Sequence, residues 1–191
     1  TICRMVAGLP LAIELAAALT HQATVREVAK SLQDGFDSLQ ASLHDVPDKH
    51  RGLHMVFEMS WHTLTTALQQ QLARLTVFRG GFTETAARQI TAATAQHLAA
   101  LVNKSLLAYH AEAERYTLHP VIRTYAAEKL SFADPTPQKH VHFFLTLLAQ
   151  HTKPLQKERP QDSINLLEPD IDNIRRAWQT GLAERKAMLL Y

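Results

Sequence analysis

The chain has 191 residues, 46% of them apolar, enough to pack cores in one large domain or in two to three small ones. Its 20 basic and 18 acidic side chains leave a formal charge of +2, without the cationic excess that steers a protein onto nucleic acid or anionic lipid. Cys3 is the only cysteine, which excludes an intrachain disulfide and a multi-cysteine zinc site, and no apolar run reaches the ~20 residues that cross a bilayer.

A single thiol fits a reducing compartment, and a cytoplasmic location with no membrane association is expected. The opening TICRMVAGLP lacks a basic stretch followed by an apolar core and a cleavage site, so no signal peptide is expected there, and it begins without Met, as an excerpt does. Eleven histidines could titrate near neutral pH after small shifts, but they assign no function by themselves.

Helix signals dominate. Gly8 offers a turn and Pro10 sits where its missing N–H costs nothing, so a helix is predicted from Pro10, with Leu11, Leu15, Ala18 and Leu19 at helical spacing. Thr24 and Glu27 form a capping box ahead of Val25, Val28, Ala29 and Leu32, which predicts a second helix to about Gln33. DGFDSL is expected to break it, and HDVPDKHRG, residues 44–52, reads as a polar linker.

From Leu53, the spacing of Met55, Met59 and His62 predicts one helix, and Leu68, Leu72 and Leu75 another that ends at Gly80-Gly81. Phe82 and Thr83 read as staple and N-cap for a helix bearing Ala86, Ala87 and Ile90, and the next helix holds Leu98, Leu101 and Val102. Leu106 to His110 and Arg115 to His119 are predicted strands joined by about four residues in a hairpin. Pro120 opens a helix with Val121, Tyr125 and Leu130 along one side. Three helices followed by a hairpin is the winged-helix order. After a proline-containing linker, SFADPTPQ, one helix face is made by Val141, Phe144, Leu145 and Leu148 and another by Ile171, Ile174 and Trp178, with Gly181 as a stop. Trp61 and Trp178 are expected to anchor cores.

Four segments occur in a fixed order: GLPLAIELAA, MSWHTLTTALQQQLARLTVFRGGFT, LAALVNKSLLAYHAEAERYTLHPVIRTYAAEKL and LLEPDIDNIRRAWQTGL. In order and spacing they resemble the signal-transduction nucleotide-binding ATPases (STAND class) of bacterial transcriptional regulators, related to the NB-ARC ATPases of apoptosis and plant immunity. The resemblance implies a mainly α fold: a helical lid subdomain over residues 1–46, a winged helix with a small β-hairpin over 47–132, and the start of a tetratricopeptide-like array of antiparallel helices over 139–191. It implies a nucleotide-binding domain upstream in cis, ATP or ADP as cofactor with Mg held mainly by that domain, and the repeats as receivers of a protein or small-molecule signal. It also implies an ATP-dependent oligomer.

By the same resemblance Gly8, Leu9 and Pro10 are nucleotide-binding, with Pro10 against the adenine, and His119 contacts the β-phosphate of ADP from a Met-His-Asp signature. Here that signature reads Leu118-His119-Pro120, so an Asp is replaced by a residue without an N–H. The other reading of Pro10 is a plain helix start, and of His119 a plain N-cap. No Gly-x-x-x-x-Gly-Lys-Ser/Thr run is present, so no catalytic residue is assigned and this stretch is not expected to hydrolyse ATP alone, although the whole ATPase would.

Two other classes compete. A winged helix can read DNA with its third helix, but TAQHLAALVNKSL offers Lys104 as its only certain cation and the wing HAEAER carries two acids, so DNA binding here is disfavoured. A helical protein-interaction scaffold is the other alternative. No metal site is expected: His50 and His54 lack a third ligand, and His140 and His142 point to different sides of a helix.

Overall fold

A computed structural model describes residues 2–6, 8–39, 48–155 and 161–183 of the chain. The fold is mainly α with one small antiparallel hairpin. It divides into two compact units, residues 1–70 with 99–107 and residues 71–98 with 108–191. The expected boundary at 46/47 falls outside the described residues.

The first unit begins with α1 (Ile2–Met5), α2 (Pro10–Leu19), α3 (Val25–Leu39) and α4 (Asp48–His62). Pro10 opens α2 at its first position, and Ala12, Leu15, Ala16 and Leu19 form the buried stripe. The capping box starts α3: Glu27 N–H donates to Thr24 Oγ1 at 3.3 Å, and Thr24 N–H donates to Glu27 Oε2 at 2.7 Å. Contrary to the predicted break, α3 continues through Gly35 to Leu39. One glycine costs a helix about 1 kcal/mol, and the apolar spacing Leu32, Phe36, Leu39 persists in the sequence beyond it.

The predicted linker is also corrected, because α4 begins at Asp48. Gly52 lies inside that helix and serves close packing: a Cβ there would stand 2.9 Å from the Met5 carbonyl oxygen and from Val6 Cα. Both α2 and α3 pack on α4 around Leu15, Leu32, Val56 and Phe57, each 0% exposed. Burying side chains of this size stabilises by about 1.5–3 kcal/mol each. Trp61, half-buried, reaches this core only at its edge, 5.9 Å from the Phe57 ring.

Helix α5 (Thr66–Leu75) runs from the first unit into the second. It stops at Leu75 rather than at Gly80-Gly81, tightening through bonds from Thr76, Val77 and Phe78 N–H to the carbonyls three residues back. Thr83 caps α6 (Glu84–Thr91) by accepting from Ala86 N–H at 3.2 Å, and α7 (Ala95–Asn103) follows. Strands β1 (Ala108–His110) and β2 (Arg115–Thr117) pair Tyr109 with Tyr116, and a bridge adds Phe82 beside Tyr116. Both strands are shorter than predicted, because Leu106 and Leu107 N–H close the end of α7 on the Leu101 carbonyl and His119 belongs to the next helix start.

On α8 (Pro120–Ala127) the buried residues are Ile122 and Ala126, one position round from the predicted Val121 and Tyr125. Leu130 lies beyond the helix. SFADPTPQ is not a loose linker: Asp134 receives Arg74 Nε at 2.9 Å and the Thr136 N–H at 2.9 Å, which starts α9 (Thr136–Leu155). Helices α10 (Gln161–Leu167) and α11 (Ile171–Ala183) pack on α9, with a 3₁₀ turn at Glu168–Asp170 between them.

The buried face of α11 is Asn173, Ile174, Ala177 and Gly181. Ile171 and Trp178, expected inside, are each 41% exposed. Gly181 sits within the helix, where a Cβ would touch Val141 Cγ1 and Leu145 Cδ1 at 3.5 Å. None of the described helices is long and apolar enough to cross a membrane.

Candidate functional site

The Gly8-Leu9-Pro10 step is built by backbone alone. Gly8 N–H closes on the Cys3 carbonyl at 2.8 Å, and Leu9 N–H on the Val6 carbonyl at 3.1 Å, ending α1. Gly8 then takes φ +69°, a left-handed conformation that an L side chain adopts at a cost. A Cβ at Gly8 would meet nothing within 4 Å, so the glycine is needed for the turn and not for space. Leu9 supplies no side-chain cap to α2. The N–H groups of Leu11 and Ala12 thus begin the helix without an intrahelical acceptor. Pro10 and Gly8 are exposed, so a rigid apolar ring stands at an open helix start.

His119 lies at the junction of β2 and α8, in the second unit. Its Nδ1 accepts the Val121 N–H at 3.2 Å and caps the helix. A nitrogen that accepts cannot carry a proton, which assigns the neutral ring to the Nε2–H tautomer and leaves Nε2 a donor. Pro120 supplies the fixed φ of the first turn, and Arg123 N–H bonds the His119 carbonyl at 2.9 Å. The side chain is exposed. Gly8, Leu9 and Pro10 come together in the first unit, and His119 belongs to the second.

Composition and periodicity missed a polar centre in the second unit. Asn173 is 0% exposed, and its amide satisfies four bonds. Its Oδ1 accepts the Arg79 N–H at 2.7 Å and faces His140 Nε2 at 3.5 Å. Its Nδ2 donates to the Gly81 carbonyl at 2.7 Å and to Asp170 Oδ1 at 3.0 Å. Turning the amide over would set donor against donor at Arg79 and acceptor against acceptor at Gly81, which fixes its orientation.

Arg115 reinforces the same turn, with one terminal nitrogen donating to the Gly81 carbonyl at 2.9 Å and pairing with Asp170 Oδ1. Gly80 takes φ +76° in this turn, and a Cβ at Gly81 would stand 3.2 Å from the Tyr116 carbonyl oxygen. Aromatic rings continue the assembly: Phe82 lies between Tyr116 at 5.9 Å and Phe78 at 4.3 Å, and Phe78 meets Phe144 edge-on at 6.3 Å. His140 packs against Phe78 and Phe144, and burial pushes its imidazole down to about 4 despite the bond to Asn173.

His142 is exposed, and the side chain of His50 lies outside the described residues. Among the described residues no group of three or more His, Cys, Asp or Glu side chains gathers to hold a metal. Helix α7 carries no Lys or Arg, and Lys104 beyond it donates to Thr63 Oγ1 at 3.4 Å.

The chain is similar to two mycobacterial proteins, one from Mycobacterium tuberculosis and one from Mycobacterium bovis, each named "Putative HTH-type transcriptional regulator". With each it shares 31% identity over 188 residues, 93% of this chain and 21% of the relative. It is also 33% identical over 140 residues to an "Uncharacterized protein" of Mycobacterium tuberculosis, 68% of this chain and 36% of that one. The chain therefore spans about a fifth of the length of the two regulators it matches. No family model and no solved structure matches it.

Proposed function

We propose that this chain is the regulatory part of a nucleotide-switched transcriptional regulator, in which Gly8, Leu9 and Pro10 are nucleotide-binding, Pro10 meeting the adenine, and His119 contacts the diphosphate. The role in transcription draws on the names of its relatives. The switch draws on the order of the four motif segments. The observation that carries the reading is the open start of α2, where a glycine in a left-handed turn presents an exposed proline ring that no side chain caps. A rigid apolar ring loses little entropy on meeting a planar base.

In this reading an upstream domain in cis holds the phosphates and Mg, and ADP bridges it to this chain. A signal received by α9–α11 shifts the closed and open states only as far as it binds one better than the other. His119 in its Nε2–H form donates to a phosphate oxygen, while Pro120 removes one N–H that would otherwise help. DNA reading is not assigned to α7, which offers no Lys or Arg for phosphate neutralisation.

Calorimetric titration of ADP into the intact regulator and its His119→Ala variant tests this. A tenfold or greater loss of affinity is expected. Equal affinities remove His119 from the latch.

A further inference from the structure

The turn from Phe78 to Phe82 and the start of α8 enclose a small notch lined by Arg79 and Arg123 over the apolar walls of Phe78, Phe82 and Leu118. Arg79 is half-buried. One terminal nitrogen donates to the carbonyls of Thr76 at 2.7 Å and Phe78 at 2.9 Å, which holds the guanidinium in place. Its remaining N–H donors make no bond among the described residues. Asn173 seats α11 against the same turn through the Arg79 N–H, and Arg176, three residues on, falls on that side of the helix.

Two cations therefore line the notch, Arg176 acts on Arg79 through its charge, and no carboxylate pairs with any of the three among the described residues. Asp170 is committed to Arg115 and Asn173. Asp172, beside Gly80, is bonded to Arg175 at 3.4 Å. The cost of this arrangement is visible at Arg79, which burial, then Arg123 and Arg176, push down to about 10, well under the usual guanidinium range.

We infer that the notch lined by Arg79 and Arg123 is a binding site for a phosphate-class oxyanion. Guanidinium forks match phosphate oxygens, and a single carboxylate charge would leave one of the two lining cations uncompensated. A phosphate or diphosphate brings the two or more negative charges that balance the cluster. Arg123 lies four residues after His119 on α8 and shares its helix face, but the inference stands without the nucleotide reading, since free pyrophosphate has the same chemistry as a nucleotide's diphosphate.

The test is NMR titration of the 191-residue chain with inorganic pyrophosphate, following the Gly80 and Gly81 amides and the arginine Nε–H signals. Saturable shifts are expected at these positions. Arg123→Gln should weaken binding at least tenfold, and Arg175→Gln, one residue from Arg176 and on a different face, less than twofold. Arg79→Lys, which keeps the charge but loses the fork, should weaken it about fivefold even if Arg79→Gln disturbs the turn. Absence of saturable shifts overturns the proposal, as does equal weakening by Arg123→Gln and Arg175→Gln, which would mean surface charge only. A parallel ADP titration separates the sources: competition with pyrophosphate identifies a nucleotide diphosphate, and non-competition a free phosphate compound. If pyrophosphate binds the notch while His119→Ala leaves ADP affinity of the intact regulator unchanged, the notch stands and the latch falls. The converse pattern, no pyrophosphate binding with ADP affinity dependent on His119, removes the notch and keeps the latch.

Discussion

The side chain of Asn173 donates to the backbone carbonyl of Gly81 at 2.7 Å, a bond that links positions 92 residues apart. With the Arg79 N–H on its other side, this amide fastens α11 to the turn that leads into α6. Replacing it by alanine would leave the half-buried Arg79 N–H without a partner, although Gly81 keeps Arg115. Asn173→Ala is expected to cost about 3 kcal/mol, measured by chemical denaturation, with Asn165→Ala on the exposed surface of α10 as a near-neutral control. A loss for Asn173→Ala no larger than the control's would contradict the anchoring role.

His140 makes the same contact sensitive to pH. Its folded value of about 4 lies below the 6.5 of the free imidazole, so between those values the unfolded chain binds a proton that the folded chain refuses. Stability is full above about pH 6.5 and falls as pH drops toward 4, by an order of 3 kcal/mol in all. His140→Gln keeps a donor for Asn173 without titrating. Denaturation curves at pH 7 and pH 4.5 should show a much smaller loss for the variant than for the wild type, and identical losses would exclude His140 as the source.

Two glycines in the first unit separate conformation from space. Gly8 holds φ +69° with open space around it, whereas Gly52 faces backbone at 2.9 Å. Gly8→Ala should cost about 1 kcal/mol, and Gly52→Ala more, since Met5 and Val6 must move. Thermal denaturation of the two variants ranks them, and the opposite order would refute the packing of α4 against the end of α1.

Thr83 gives a local check on α6. Thr83→Ala removes the acceptor for the Ala86 N–H and should cost about 1 kcal/mol, while Thr83→Ser should cost little. Hydrogen exchange at Ala86 reports the cap directly, and unchanged protection in the alanine variant would discount it.

What the sequence made legible was local. Pro10 opens its helix, Thr24 and Glu27 cap each other, Thr83 caps α6, and four residues join the two strands, because each signal acts over a few positions. The errors came where tertiary partners decide. Periodicity sends an asparagine outward and an isoleucine or tryptophan inward, yet Asn173 is buried because Arg79, Gly81, His140 and Asp170 satisfy it, and Ile171 and Trp178 turn outward on that account. Gly181 and Gly52 read as stops or linker residues but meet neighbouring helices or backbone, which no window of nearby residues reveals. An N-cap at His119 is the plain local reading of a residue before Pro120, and the cap leaves its Nε2 a donor. Arg79 and Arg123 meet at one notch from two separate segments and carry no signal in either one.

The central claim is that the ring of Pro10 faces the adenine of a bound nucleotide, and the most direct measurement is the nuclear Overhauser effect between adenine H2 or H8 of ADP and proline ring protons in the intact regulator. Cross-peaks to one proline that vanish in Pro10→Ala are expected. ADP bound with full affinity in that variant, and with no cross-peak to Pro10 in the wild type, would contradict the account.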